Sequence, residues 1–364
     1  MPIPRSGAPA AAFSDKAGGV WMLLLIACLH RGPSPAQCAL AETVELRADD
    51  GAGLALHHHP GSGPPVVVVH GLSSNHWCWD LAPGRSLAEA LVAAGYDAWL
   101  LDLRGHGDAR NLRPRTRRGW TMDDYGRYDL KAAIDYVRAR TGYDQVGYVG
   151  HSMGGMVAAI YQSIYGDDAL AALVVVGSPV DFGDPDRLLL LTGRGFAVGS
   201  LLPDIRTPAV ARAARPLGEH QPLHADEILF NPENLTGPAR DLMFRYAASP
   251  VYSEEVRQFG RILHEGRFVS ADGAVDYTSA LSGLRTPLLV ISGRVDRIAP
   301  TDRVLAYYRA AGSPEKRYVL AGKASGFSAD YGHLDLPLGD AAAAEIYPLI
   351  LSWLAGRWPT PENP

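Results

Sequence analysis

Apolar and polar positions in this chain fall into two kinds of block. Pro65-Val66-Val67-Val68-Val69-His70 is an unbroken apolar run, the pattern of a strand buried on both faces. Shorter runs of the same kind recur at 97–102, 145–149, 172–177, 287–292 and 316–321. Two earlier segments, 43–48 and 53–58, read as an antiparallel meander. Between the runs lie stretches with helical spacing, near 85–94, 123–140, 153–165, 301–311 and 341–356. Strands alternating with helices predict an α/β fold: a mostly parallel, eight-stranded sheet with helices on both faces.

The block from 181 to 285 breaks this rhythm. It carries Leu188-Leu189-Leu190-Leu191 and Pro203, Pro208, Pro216, Pro222 and Pro232, with no clear strand. An insertion of that size after a central strand reads as a mostly helical cap, its leucines either lining a pocket or forming the cap's own core. The core of the fold is then 42–180 together with 286–358. Residues 1–41 stand apart. Val20 to Leu29 is an apolar run of signal-peptide length, too short to span a bilayer, with Arg5 and Lys16 before it and Ala39-Leu40-Ala41 as a cleavage site. This segment predicts export to the periplasm or medium, with a cytoplasmic enzyme bearing a disordered tail as the alternative.

Composition narrows the class. The 364 residues are 47% hydrophobic, enough for a large core, and carry a net charge of −5 with no long basic block, which argues against nucleic acid as a partner. Cys28 and Cys38 lie in the leading segment, so Cys78 stands alone and reads as packing. His57-His58-His59 invites a metal reading. On a strand His57 and His59 share one face and His58 the other, so the three cannot hold one ion together, and they read as a solvated strand end. Asn234-Leu235-Thr236 is a glycosylation triplet.

The chemistry concentrates at Gly150-His151-Ser152-Met153-Gly154. A short strand precedes this G-x-S-x-G stretch and a helix follows it. The serine therefore sits on a tight turn, with Gly150 and Gly154 letting strand and helix approach and the helix N-terminus aimed at the hydroxyl. A serine hydroxyl is a poor nucleophile without a base. Downstream of Asp296, which closes a strand at Gly293, the one histidine is His333, in Tyr331-Gly332-His333-Leu334-Asp335. Asp181, after another strand, is the alternative acid. Gly71 lets the chain turn after its strand, so that the amides of Leu72 and Met153 can form an oxyanion hole, with His70 holding the loop and His151 and the glycines in support.

Taken together, these pieces resemble the α/β-hydrolase superfamily, and within it the acid lipase group. The resemblance rests on Gly95-Tyr96-Asp97-Ala98-Trp99-Leu100, Asp102-Leu103-Arg104-Gly105-His106-Gly107, Tyr128-Asp129-Leu130 with Ile134-Asp135, Gly150-His151-Ser152 and Gly332-His333-Leu334-Asp335. Acid lipases commonly carry Gln after the serine and an N-x-R-G turn; this chain has Met153 and Asp102-Leu103-Arg104-Gly105, the general hydrolase pattern. The resemblance implies a serine hydrolase that cleaves carboxylic esters of small molecules, lipid-like ones included, through Ser152, His333 and Asp296, with no metal or organic cofactor. The same three residues would equally serve an acyltransferase, thioesterase or peptidase. A non-catalytic binding protein on this fold is the alternative from another class.

Overall fold

The computed structural model describes residues 42–112, 119–183, 204–205, 225–235 and 237–358. Its centre is an eight-stranded sheet. The strands are β1 (Glu42–Arg47), β2 (Gly53–His59), β3 (Pro65–Val69), β4 (Asp97–Asp102), β5 (Val146–His151), β6 (Leu170–Val176), β7 (Leu288–Gly293) and β8 (Lys316–Ala321). They lie in the order β1-β2-β4-β3-β5-β6-β7-β8. β2 runs antiparallel to both β1 and β4, and every other pairing is parallel. The predicted sheet and meander are therefore observed, with boundaries shifted by a residue or two.

Burial explains the all-apolar strands. Val66 to Val69 are at most 1% exposed, and β5 and β6 are buried throughout. Each such valine contributes roughly 1.5–3 kcal/mol relative to an exposed one. One core cluster covers one face, with Val67, Val69, Trp99, Met156 and Val157; the other holds Val66, Val68, Leu100, Val174 and Ile350. The flanking helices are α1 (Leu87–Ala93), α2 (Lys131–Thr141), α3 (Met153–Tyr165), α4 (Gly237–Tyr246), α5 (Ser253–Glu265), α6 (Thr301–Ala310) and α7 (Tyr347–Leu354). In α3 every residue from Met153 to Gln162 is buried, so this helix is packed on all sides.

The expected helix over 123–140 is interrupted. Residues Tyr125–Leu130 form a π-helical stretch ahead of α2. Such a bulge shifts the side chains that follow it. Here the stretch holds Asp129, fully buried, whose Oδ2 accepts from the Arg104 amide (3.0 Å) and Oδ1 from Arg104 Nε (2.7 Å). Arg104 reaches Asp50 as well, through Nη2 (3.0 Å), joining the β1–β2 turn to the body. Its guanidinium is held firmly in the charged state by the two carboxylates.

Three expectations need correction. His57 and His59 are not a solvated strand end: they are 1% and 3% exposed, with Nε2 atoms 3.0 Å from Asp102 Oδ2 and 2.9 Å from Asp80 Oδ2. His58 stacks on Trp99 at 3.6 Å and meets Asp97 at 2.7 Å. Asn234 is 3% exposed and its amide donates to Asp335 Oδ2 (2.9 Å), so the glycosylation triplet does not present its asparagine to solvent. The segment after β6 does contain strand: Val251–Tyr252 pairs antiparallel with Asp204–Ile205. The leucine run at 188–191 and residues 1–41 lie outside the described residues. Among those described, no helix is long and apolar enough to cross a membrane.

Candidate active site

Strand order reverses around β3: the chain steps from β3 to β4 on one side, then returns to β5 on the other. Ligand crevices in open α/β sheets form at the carboxyl ends of such strands. There the loop after β3 and the bend after β5 meet. A Cβ placed on Gly71 would lie 3.0 Å from Ser152 Cβ and 3.2 Å from His151 Nδ1. The loop carrying Leu72 thus passes directly over the serine.

Ser152 joins β5 to α3 with φ 53° and ψ −117°. Positive φ is strained for a residue with a side chain. The bend is held by Ser152 N–H donating to Val176 O at 2.8 Å. It also demands the flanking glycines. A Cβ on Gly150 would lie 2.5 Å from the Gly154 carbonyl carbon, and one on Gly154 would lie 2.6 Å from Val69 O. Tyr148 and Tyr307 hydroxyls donate to the carbonyls of Gly154 (2.6 Å) and Gly155 (3.2 Å), fixing the first turn of α3.

His333 Nε2 lies 2.9 Å from Ser152 Oγ, and His333 Nδ1 lies 2.8 Å from Asp296 Oδ2. A carboxylate only accepts, so Nδ1 carries the ring proton and Nε2 is free to accept from the serine hydroxyl. The other oxygen of Asp296 takes the amides of Ile298 (2.9 Å) and Ala299 (2.7 Å), which locks the carboxylate in place. Asp181 is exposed and turns back on the Gly183 amide (2.9 Å). The fold therefore brings Asp296, not Asp181, to the histidine.

The supporting residues have identifiable contacts. His70 Nδ1–H donates to Gly71 O (2.8 Å) and its Nε2 accepts from the Leu103 amide (3.3 Å), so it holds the loop as a neutral ring, its basicity lowered by burial. His151 Nε2–H donates to the carbonyl of His333 at 3.1 Å; burial and the adjacent His333 keep it far from protonation. The first amides of a helix lack acceptors within it, and that of Met153 stands at the start of α3, next to Ser152. Among the described residues no backbone carbonyl accepts from Leu72. Cys78 is buried and its thiol is pushed up to about 12 by desolvation, consistent with packing.

Three structural residues escaped the sequence reading. Asp335 is fully buried and accepts from the amides of Gly332 (2.9 Å) and Asn231 (3.1 Å). It pins the loop that carries His333, which explains why aspartate follows His333 by two. Arg104 and Asp129 are the other two. Both stood in the quoted motifs, and their opposite charges were the available signal.

A family model described as the alpha/beta hydrolase fold matches residues 64–333. The chain belongs to that family. This α/β-hydrolase is 25% identical over 360 residues to a poly(3-hydroxyalkanoate) polymerase subunit of Allochromatium vinosum, covering 95% of each chain. It is 38% identical over 135 residues to human gastric triacylglycerol lipase, a match spanning 33% of this chain and only 34% of the lipase. Among solved structures, a thermophilic esterase from Thermogutta terrifontis superposes with a TM-score of 0.57 at 21% identity, over 86% of this α/β-hydrolase and 98% of the esterase. The thioesterase domain of the curacin biosynthetic pathway gives 0.53 at 20%, over 85% and 99%. At such identities these two speak for the fold.

Proposed function

We propose that the protein is a serine hydrolase of carboxylic esters, acting by two-step acyl transfer. The observation that carries this reading is the unbroken relay from Ser152 Oγ through His333 to Asp296, at 2.9 and 2.8 Å. His333 takes the serine proton as Oγ attacks the ester carbonyl; Asp296 fixes the tautomer and stabilises the imidazolium. The developing oxyanion lies between the amides of Leu72 and Met153. The alcohol departs with the proton from His333, and water repeats the sequence on the acyl-enzyme.

Residues 181–285 act as a cap in this scheme. Their described parts bind the two loops that carry the site: Ser249 N–H donates to Ser73 O (2.8 Å), Asn75 Nδ2 to Tyr246 O (2.9 Å), and Leu334 N–H to Leu229 O (2.9 Å). Phe230, Leu235, Ala239 and Met243 form a separate apolar cluster with Leu81 and Leu338 of the body. The leucine run at Leu188 to Leu191 in this segment supports a preference for a medium or longer acyl chain, each buried methylene of which adds up to about 0.8 kcal/mol.

The end-to-end similarity to a polyester polymerase subunit favours one second reading, transfer of the acyl group to a hydroxyl acceptor instead of water. One experiment separates them. A nitrophenyl ester series, from butyrate to octanoate, is incubated with the purified protein with and without a 3-hydroxyacyl acceptor. Free acid as the dominant product under both conditions supports hydrolysis; a new ester formed with the acceptor supports transfer. No acyl-enzyme and no labelling by a fluorophosphonate would overturn both.

A further inference from the structure

Three buried side chains form a second cluster that this reaction does not use. His57 lies in β2, His76 in the loop after β3, and Asp102 ends β4. Asp102 Oδ2 is 3.0 Å from His57 Nε2 and 2.8 Å from His76 Nδ1, and the two imidazole centroids are 3.7 Å apart. Donor atoms from all three lie within 4.8 Å of one another. Asp108 brings a fourth: its Oδ2 is 3.8 Å from His57 Nε2, and its side chain is 62% exposed, leaving one side open to solvent.

Hydrogen bonding alone leaves this cluster imperfectly paired. Asp102 Oδ2 also accepts from the Asp108 amide at 2.9 Å, so three donors crowd one oxygen that offers two lone pairs. The backbone is shaped to the carboxylate: a Cβ on Gly107 would fall 2.0 Å from Asp102 Oδ2. A divalent cation between the ring nitrogens and the carboxylate replaces two of the crowded donors with metal bonds.

We propose that His57, His76, Asp102 and Asp108 form a divalent-cation site of the zinc class. Two imidazoles and two carboxylates are a donor set for tetrahedral zinc. Bonds of about 2.0–2.2 Å place neighbouring ligand atoms about 3.3 Å apart. The observed 2.8 and 3.0 Å contacts need to open by a few tenths of an ångström, and the exposed Asp108 carboxylate needs to swing in. On loading, His57 moves its proton from Nε2 to Nδ1, which already lies 3.2 Å from Thr43 Oγ1, giving that one of the two ligating rings an outer partner. His57-His58-His59 cannot hold an ion by itself; the other ligands come from β4 and two loops. His76 is four residues beyond Leu72. The ion therefore braces the loop that carries one oxyanion amide, and serves structure instead of the acyl transfer.

The test uses the full chain, stripped with EDTA and equilibrated with micromolar Zn²⁺, then passed through gel filtration. We expect one zinc per chain, a raised thermal midpoint, and a Co²⁺ derivative with the strong visible bands of a tetrahedral site. Thr43→Val, at an exposed position, should weaken zinc binding roughly 10–100-fold. His76→Gln should abolish it, and His264→Gln, on an exposed helix face, should leave it intact. Less than a tenth of an equivalent of zinc on the native chain overturns the proposal, as does binding insensitive to Thr43→Val. If His76→Gln fails to fold, the Co²⁺ spectrum and Thr43→Val decide.

Discussion

The ring of His151 holds the main chain of His333: its Nε2–H donates to the His333 carbonyl across 3.1 Å. The residue just before the serine thus steadies the histidine that bonds that serine. The Ser152 and His333 segments are joined twice, once through Ser152 Oγ and once through the backbone. The site tolerates little displacement, and its predictions follow from that.

Ser152→Ala removes the only group that His333 Nε2 contacts in the relay. We expect ester turnover to fall by at least about 10³, since members of such a unit act together. The fold should persist, as read by circular dichroism. Residual activity above about a tenth, a loss under 1.4 kcal/mol, would place the nucleophile elsewhere.

The two carboxylates rank differently. Asp296→Asn keeps the shape but offers an amide to His333 Nδ1, stabilising the wrong tautomer, and should cost about 10⁴ in kcat. Asp181→Asn should change kcat less than twofold, because Asp181 is exposed and bonds Gly183. Steady-state kinetics on both variants gives the ranking, and the reverse order would sink the assignment.

Gly71→Ala places a methyl 3.0 Å from Ser152 Cβ and 3.2 Å from His151 Nδ1. The loop must retreat, taking the Leu72 amide with it. We expect kcat to drop about 10- to 100-fold, the usual cost of misplacing a group by an ångström. An unaltered kcat would mean that the Leu72 amide is not an oxyanion donor.

Arg104→Ala leaves Asp129 buried without its guanidinium. Stranding one partner of a buried pair costs about 3–5 kcal/mol. Urea unfolding should register that loss. Arg104→Lys should recover only part of it, since a lysine cannot span Asp129 and Asp50 as a fork does.

Glu255, on α5, is fully enclosed beside Tyr125 and 3.9 Å from His106 Nε2. Burial pushes its carboxyl up to about 7, against the pull of the Tyr252 amide and the Tyr125 hydroxyl. The folded chain therefore holds this proton more tightly than the unfolded chain does. Stability from this group is complete below the unfolded value near 4.5 and is lost as pH rises through about 7. Glu255→Gln removes that slope. Relative to wild type it should gain on the order of 2–3 kcal/mol between pH 4.5 and 8, measured by denaturant midpoints. Parallel pH profiles for the two proteins would refute the shift.

The strands were legible because a strand buried on both faces must be apolar at every position, as in Val66 to Val69. The site's main residues were legible because strand-end placement survives in sequence: Ser152 after β5, Asp296 after β7, His333 after β8. What escaped depended on distant partners. His57 looked solvated because Asp102 is 45 positions away, and Asp129, quoted only within a motif, gave no sign of its partner because Arg104 is 25 positions earlier. The π-helical stretch has no periodic signature of its own.

Ser152 and His333 are 181 positions apart, and the histidine follows the last strand of the sheet. On the ribosome, the serine is made and can settle on its bend long before its base exists. In the proposed reaction, a chain that ends before His333 carries the Ser152 hydroxyl without the base that would activate it. If the proposed reaction holds, synthesis order keeps the chain inert until residues beyond the last strand of the sheet have been translated.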